Sequence, residues 1–495
     1  LPWQRLQPVE TFSEYLDFFS LDTCGNILTS FYSRFFRAYS REKAEIMGAI
    51  TPTLAHIAAE PSLPNISPVN ILGDAMTVVA NNLSWNMDIG YRPLPPDNIV
   101  EPSIISGYKA IADEIARREK WLAGKQESLA ETALYYSEDS KIFYGQDNIR
   151  RYTDEFMGYF KALLESHNVF DIVGAKHLNA ERLKQYKLLV MPNTACLSAS
   201  QLEEIGKFTE NGGALLASYK TSLFDENGNQ KRDFGLVSVL DVAFVSDGPG
   251  GDYLPEKLIA GQRSNTGKIK YGFMKMKKGG KISAGVETLT ALFTPTTIVK
   301  PGRNTETGGD FFRRKISASN HTPGFKESYI PDEKPECIAA LNSQAKGRTA
   351  YLAPKFGSLY WKLAFNYAGS IIQNTIAWLL DGREAIKVSA PPCVEVTAFR
   401  QGENRTIIHF VNCQTAARKV IMHELYQPRI YESEDILPVH DVRIEYRPES
   451  GQRIKKAYLA PEMIDLRIEK TDQGGIVCII PKVEIHTMLV LETNG

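Results

Sequence analysis

The stretch that most limits the fold runs from Glu131 to Ser218, where short apolar runs alternate with amphipathic ones. "ETALYYS", "VFDIV", "KLLVM" and "ALLAS" lack the in–out alternation of a sheet with one wet face. Such runs are strands buried on both sides, as in parallel sheets covered by helices. Between them lie "NIRRYTDEFMGYFKALLESH", a segment around Ala180–Gln185, and "SASQLEEIGKFTENGG", all with helical patterning. Ser198 or Ser200 is placed to cap the last helix, and Gly212 with Gly213 to stop it. The order βαβαβαβ, with right-handed crossovers, predicts a doubly wound sheet.

A sheet of this type often carries a nucleophile on the sharp turn after a strand, where the following helix N-terminus favours negative charge. Here that turn follows "ALLAS" and reads Tyr219-Lys220-Thr221, without a cysteine. Cys196 lies instead in the loop after "KLLVM", with no His-x-Glu pair late in the region to activate it. The sequence therefore predicts a structural Cys196 and an amidotransferase-like domain without its chemistry.

The flanking regions read differently. In "SFYSRFFRAYSREKAEIMGAI" an amphipathic helix precedes a strand-like run, and "PVNILGDAMTVVANNLSWNMDIGY" repeats that order, with a strand ending near Asp88. Helix–strand alternation implies a parallel sheet with helices outside. "GYKAIADEIARREKWLAG" follows as a charged amphipathic helix closed by Gly124. Residues 222–345 are rich in Gly, Lys, Thr and Pro and read as an insertion of short strands. "GRTAYLA" and "AFNYAGSIIQNTIAWLLDG" then return a strand and a helix to the sheet. From Pro391 onward, "VEVTAFRQ", "RTIIHFVN", "VRIEYRP", "GIVCIIPKV" and "HTMLVLE" predict an antiparallel β-sandwich.

Residues 8–495 resemble a family of hypothetical glycosyl hydrolases with a beta-galactosidase-type trimerisation domain, some of them alpha-L-fucosidase-like. The phrases that carry the resemblance include "YSRFFRAYSREKAEIMGAITPTLAHIAAEPS", "VVANNLSWNMDIGYRPL", "YKLLVMPNTACLS", "GGALLASYKTSLFDENG" and "PKVEIHTMLVLE". The resemblance implies an α/β chain in three parts: the C-terminal portion of a (β/α)8 barrel at 1–128, the amidotransferase-like domain at 129–388, and a β-sandwich at 389–495. A complete barrel needs about 250 residues. The first part is too short for one, so the N-terminal half is missing, supplied by another chain or replaced. The start "LPWQRLQPVE" has no initiator Met, which implies a processed or truncated beginning.

Glycoside hydrolysis needs two carboxyl groups flanking the scissile bond, and barrels hold them at the C-terminal ends of strands. The candidates are Glu10 and Glu14, set among aromatics in "VETFSEYLDFF", and Asp88 at the end of a strand. Trp85, Asn86, His56 and Glu60 are the candidate substrate-binding residues. Two functions follow: a glycoside hydrolase or its C-terminal part, and a non-catalytic assembly or sugar-binding scaffold with a degenerate barrel. The trimerisation-domain resemblance implies a homo-oligomer, most simply a trimer.

Composition excludes other classes. The chain has 495 residues and a formal net charge of −1, so no basic field for nucleic acid exists. No apolar run reaches the roughly 18 residues of a membrane helix. Six cysteines without a CxxC pair give neither a disulfide framework nor a zinc knuckle, and lean cytoplasmic. No H-x-x-x-H spacing and no GxGxxG context occur, so no metal or other cofactor is expected. His409 and His486 fall on strand-like runs of the sandwich.

Overall fold

A computed structural model of the chain describes residues 9–22, 26–49, 68–88, 102–248, 272–317, 328–343, 346–414, 436–449, 452–471 and 474–494. The chain folds into two compact units. One comprises Leu1–Val9, Glu131–Ala162 and Ile172–Glu384; the other comprises Glu10–Ala130, Leu163–Asp171 and Ala385–Gly495. Together they form a mixed α/β protein with one large mixed sheet and antiparallel sheets.

The first unit is built on the apolar strands. Thr132–Tyr135, Leu188–Met191 and Ala214–Ser218 are buried along their whole length and join in parallel, followed by Thr349–Leu352. Phe170–Val173 lies beyond Thr132–Tyr135, at the edge of the sheet. Numbered by chain order, these strands stand 2-1-3-4-5, one of the two common doubly wound arrangements. The helix Ala199–Glu210 starts at Ser198, whose hydroxyl accepts the Gln201 N–H while the Gln201 side chain returns to the Ser198 N–H. That reciprocal cap settles which of the two serines begins the helix. The segment near 180 makes a single turn, Ala180–Leu183, shorter than its pattern predicts.

The glycine- and lysine-rich stretch extends the sheet rather than standing apart from it. Thr305–Ser317 and Ser328–Asn342 form a long antiparallel hairpin. The last residues of that hairpin pair with Thr349–Leu352, and Gly272–Met276 and Leu289–Leu292 complete the edge. Thirteen- and fifteen-residue strands are not the short pieces that the composition implies. Their register shifts near Gly309 and Phe312 break the simple alternation by which a long strand is recognised.

In the second unit, three parallel strands, Ser20–Asp22, Glu45–Ala49 and Ser84–Asp88, pair in that order. Helices Asn26–Tyr39 and Pro68–Ala80 connect them, and Pro102–Ala116 follows. The C-terminal sandwich closes around Val394, Val396, Ile408 and Leu489 from a six-stranded sheet and Val442, Ile444 and Ile480 from a four-stranded one. Gln126–Ser128 adds an edge strand to the larger sheet by pairing with Phe399–Gln401.

The outer face of that larger sheet is not wet. Residues 395, 397, 399, 407, 409 and 411 alternate with the core positions and are all buried. Helix Asn26–Tyr39 meets this face through Arg34, whose guanidinium lies 2.5 Å from Glu395, with both side chains almost fully buried. Ser30 donates to the same carboxylate at 2.8 Å and Asn81 at 3.1 Å. Thr397 donates its hydroxyl proton to the Ala80 carbonyl. Helices Asn26–Tyr39 and Pro68–Ala80 are thus tied to the sandwich by buried polar contacts.

Candidate functional site

The three-stranded parallel sheet has two unlike faces. Register pairs Glu45 with Ser84, Met47 with Asn86 and Ala49 with Asp88. Ser20 and Asp22 align with Glu45 and Met47 on the other side. Because side chains alternate, positions 21, 46, 48, 85 and 87 share one face. Ile46 is buried there, and Trp85 and Met87 pack on a cluster of Ile71, Met76, Val79, Tyr108 and Ile111 from helices Pro68–Ala80 and Pro102–Ala116. By register, positions 20, 22, 45, 47, 49, 84, 86 and 88 fall on the other face; they are Ser, Asp, Glu, Met, Ala, Ser, Asn and Asp. Across it, Asn86 Nδ2 donates to Glu45 Oε1 at 3.3 Å.

This geometry sorts the residues nominated from sequence. Asp88 ends its strand, at the C-terminal edge where barrels hold their chemistry. Asn86 is half-buried on the same face. Trp85, its chain neighbour, belongs to the helix-packed face, and its indole nitrogen is buried without an acceptor. The structure therefore does not bring Trp85 and Asn86 to one surface.

Glu10 lies half-buried in the single helical turn Val9–Phe12, and its carbonyl accepts from Ser13 Oγ at 2.6 Å. Glu14 is exposed on the following turn, where its carbonyl accepts from Arg41. The Asp17 carbonyl takes the N–H groups of Arg41 and Glu42, both just ahead of strand Glu45–Ala49. Glu14 and Asp88 consequently stand toward opposite ends of the sheet. Around Glu14, Phe12, Tyr15, Leu16 and Phe18 are exposed, Tyr15 at 81%. His56 and Glu60 lie outside the described residues.

Sequence reasoning passed over two carboxylates at positions on the Asn86 face, Asp22 and Glu45. Asp22 ends "SLD" just before the break at "TCGN", a strand end legible only once the strand itself is recognised. Glu45 begins its strand, so its contact with Asn86 needed the register of two strands.

In the first unit, the turn where a nucleophile would sit is present without one. Tyr219 follows the strand directly with φ +50°, the left-handed region that a β-carbon disfavours. Its N–H donates to the Leu352 carbonyl at 2.9 Å, and its ring lies between Lys220 and Lys355, 5.5 and 5.6 Å from their ammonium nitrogens. Cys196 is fully buried, and burial pushes its thiol up to about 12. Its N–H donates to Ser140 Oγ at 2.9 Å. A thiol so far above neutral pH forms no nucleophilic thiolate. Doubly wound folds take ligands at the switch point between the first and third strands; there Ser137 and Ser140, just after the first strand, are buried, and Ser140 Oγ accepts the N–H of Cys196 from the loop after the third. Among the described residues no group of three or more His, Cys, Asp or Glu side chains is placed to hold a metal ion.

Parallel β/α units, a doubly wound sheet whose strand-end turn carries no nucleophile and a helix-covered β-sandwich define a mixed α/β protein. Residues 130–235 match the family model of the beta-galactosidase trimerisation domain. The fold is that of the alpha-L-fucosidase isoenzyme 2 from Paenibacillus thiaminolyticus, at 18% identity and a TM-score of 0.75, over 100% of this chain and 68% of that one. It is also that of the beta-galactosidase from Bacillus circulans sp. alkalophilus, at 13% identity and a TM-score of 0.63. The beta-galactosidase from Rahnella sp. R3 shares it at 14% identity and 0.62. These two matches cover 98% of this chain and 61% of theirs, so the chain spans under two thirds of the galactosidases' length. No curated protein matches the sequence. The expected resemblance stands in these two findings: a match to the beta-galactosidase trimerisation domain and a fold shared with a fucosidase and beta-galactosidases.

Proposed function

We propose that the protein to which this sequence belongs hydrolyses a glycosidic bond through paired carboxyl groups, and that Asp88 is one of them. One observation carries the reading. Asp88 ends a parallel strand, at a position that register places on the face of Glu45 and Asn86, in a chain that takes the fold of a fucosidase over its whole length and of a beta-galactosidase over 98% of it. Asp22 ends a strand of the same sheet, at a position on the same face, and is our choice for the second carboxyl in place of Glu10 and Glu14. Asn86, oriented by Glu45, binds a sugar hydroxyl. The fucosidase and galactosidase neighbours make a fucoside or a galactoside the first substrate to try. The match at 130–235 supports assembly as a homotrimer. In this reading the architecture is the C-terminal part of a (β/α)8 barrel followed by an amidotransferase-like domain and a β-sandwich, and the location is cytoplasmic.

A second reading has its own support. Only three parallel strands of the barrel type occur among the described residues, which suits a non-catalytic assembly or carbohydrate-binding scaffold.

Hydrolysis of aryl α-L-fucosides and aryl β-D-galactosides separates the two. On the enzyme reading, the Asp88→Asn variant loses about 10²–10⁴-fold in kcat. Glu14→Gln and Cys196→Ala keep wild-type rates, because one lies at the wrong end of the sheet and the other is an inert thiol. Retained activity in Asp88→Asn removes that residue from the mechanism. No turnover of any aryl glycoside favours the scaffold.

A further inference from the structure

His409 and His486 occupy adjacent strands of the six-stranded sheet, on its helix-covered outer face. Their rings are nearly parallel, with centroids 5.2 Å apart, and meet edge to edge: His409 Nδ1 lies 3.0 Å from His486 Nε2. Arg118, from the turn after helix Pro102–Ala116, donates its Nε proton to His486 Nδ1 at 3.0 Å. Glu114 holds the other side of that guanidinium at 2.6 Å.

Arginine is a donor only. His486 Nδ1 must therefore be the bare nitrogen, and the His486 proton sits on Nε2. That proton is donated to His409 Nδ1, so the His409 proton sits on Nε2, where it is buried with no acceptor. Each tautomer follows from the one before it, and no nitrogen facing a partner is left to take another proton.

We propose that this pair is a proton-operated latch, holding the turn Arg118–Leu122 against the sandwich while both imidazoles are neutral. A proton on either ring removes the acceptor of an existing hydrogen bond and places a second cation beside Arg118. The groups facing the pair are Arg118 from the helix side, the Phe399 ring edge-on from the next strand, and the two imidazoles themselves. Glu114 is engaged by Arg117 and Arg118, and Tyr458 by Trp121 and Glu492.

Burial and Arg118 lower the affinity of both rings for protons, His409 to about 3 and His486 in the same direction. An unfolded histidine titrates near 6.5. The latch therefore contributes fully above about pH 6.5 and weakens as pH falls toward 3.

Two measurements on the full chain test this. In ¹⁵N-histidine spectra at pH 7.5, both rings should be Nε2–H tautomers; an Nδ1–H form or an imidazolium at either position overturns the chain. In hydrogen exchange corrected for intrinsic rates, peptides over Glu114–Leu122 and His486–Val490 should exchange at least tenfold faster at pH 4.5 than at pH 7.5. The buried strand Leu188–Met191 should not change. The increase should be smaller in His409→Leu. Uniform protection down to global unfolding, or an unaltered profile in that variant, refutes the latch. If His409→Leu does not fold, the tautomers and the wild-type profile decide alone.

Discussion

The Arg34–Glu395 pair shows how much rests on single side chains. Both charges are buried, and burial alone would drive each toward its neutral form. Glu395 nonetheless keeps its carboxyl below the usual range, because Arg34, Asn81 and Ser30 together outweigh that burial. Removing one partner leaves a buried charge unmet, which costs about 3–5 kcal/mol. Arg34→Met and Glu395→Met should each lose that order of stability in urea unfolding. The Arg34→Met/Glu395→Met double variant should recover much of the loss, since an apolar pair carries no desolvation penalty. Equal additive losses would mean that the two residues act independently.

At the scale of elements, glycines decide how closely helices approach. A β-carbon on Gly158, in helix Arg150–Glu165, would lie 1.9 Å from the Gly357 carbonyl oxygen in helix Phe356–Leu363. The obstacle is backbone and cannot rotate away. Gly206, inside helix Ala199–Glu210, has nothing within 4 Å of the same atom. One substitution should thus have opposite signs. Gly158→Ala should cost about 1–3 kcal/mol by overpacking, and Gly206→Ala should gain about 0.5–1 kcal/mol from helix propensity. Thermal unfolding of both variants checks the contrast, and a stabilised Gly158→Ala would mean that the two helices can part at little cost.

For the whole molecule, the expectation is a homotrimer. Light scattering at micromolar concentration should return three times the 55.4 kDa of the chain. A monomer there would remove assembly from the proposed function and with it the scaffold reading's main role. No described helix is long and apolar enough to cross a membrane, in keeping with the apolar runs of the sequence, which are short because they are strands.

Much of this is legible in the sequence. Local physics sets strand and helix identity in "ETALYYS" through "ALLAS", since apolar runs of that length, punctuated by caps and glycine stops, have few other solutions. The vacant elbow at Tyr219 and the inert Cys196 follow from the same reading, because a nucleophile needs a stated position relative to a strand. What the sequence could not decide depends on partners far apart in the chain. The long hairpin at 305–342 hides behind broken alternation. The two faces of the Ser20–Asp88 sheet, which separate Asn86 from Trp85 and raise Asp22 and Glu45, exist only through register. Arg34 meets Glu395 across 361 positions, and Arg118 meets His486 across 368. Pattern along the chain determines which segments become strands and helices; which charged group is buried beside which is settled only by tertiary packing, where desolvation makes an unmatched partner too costly to keep.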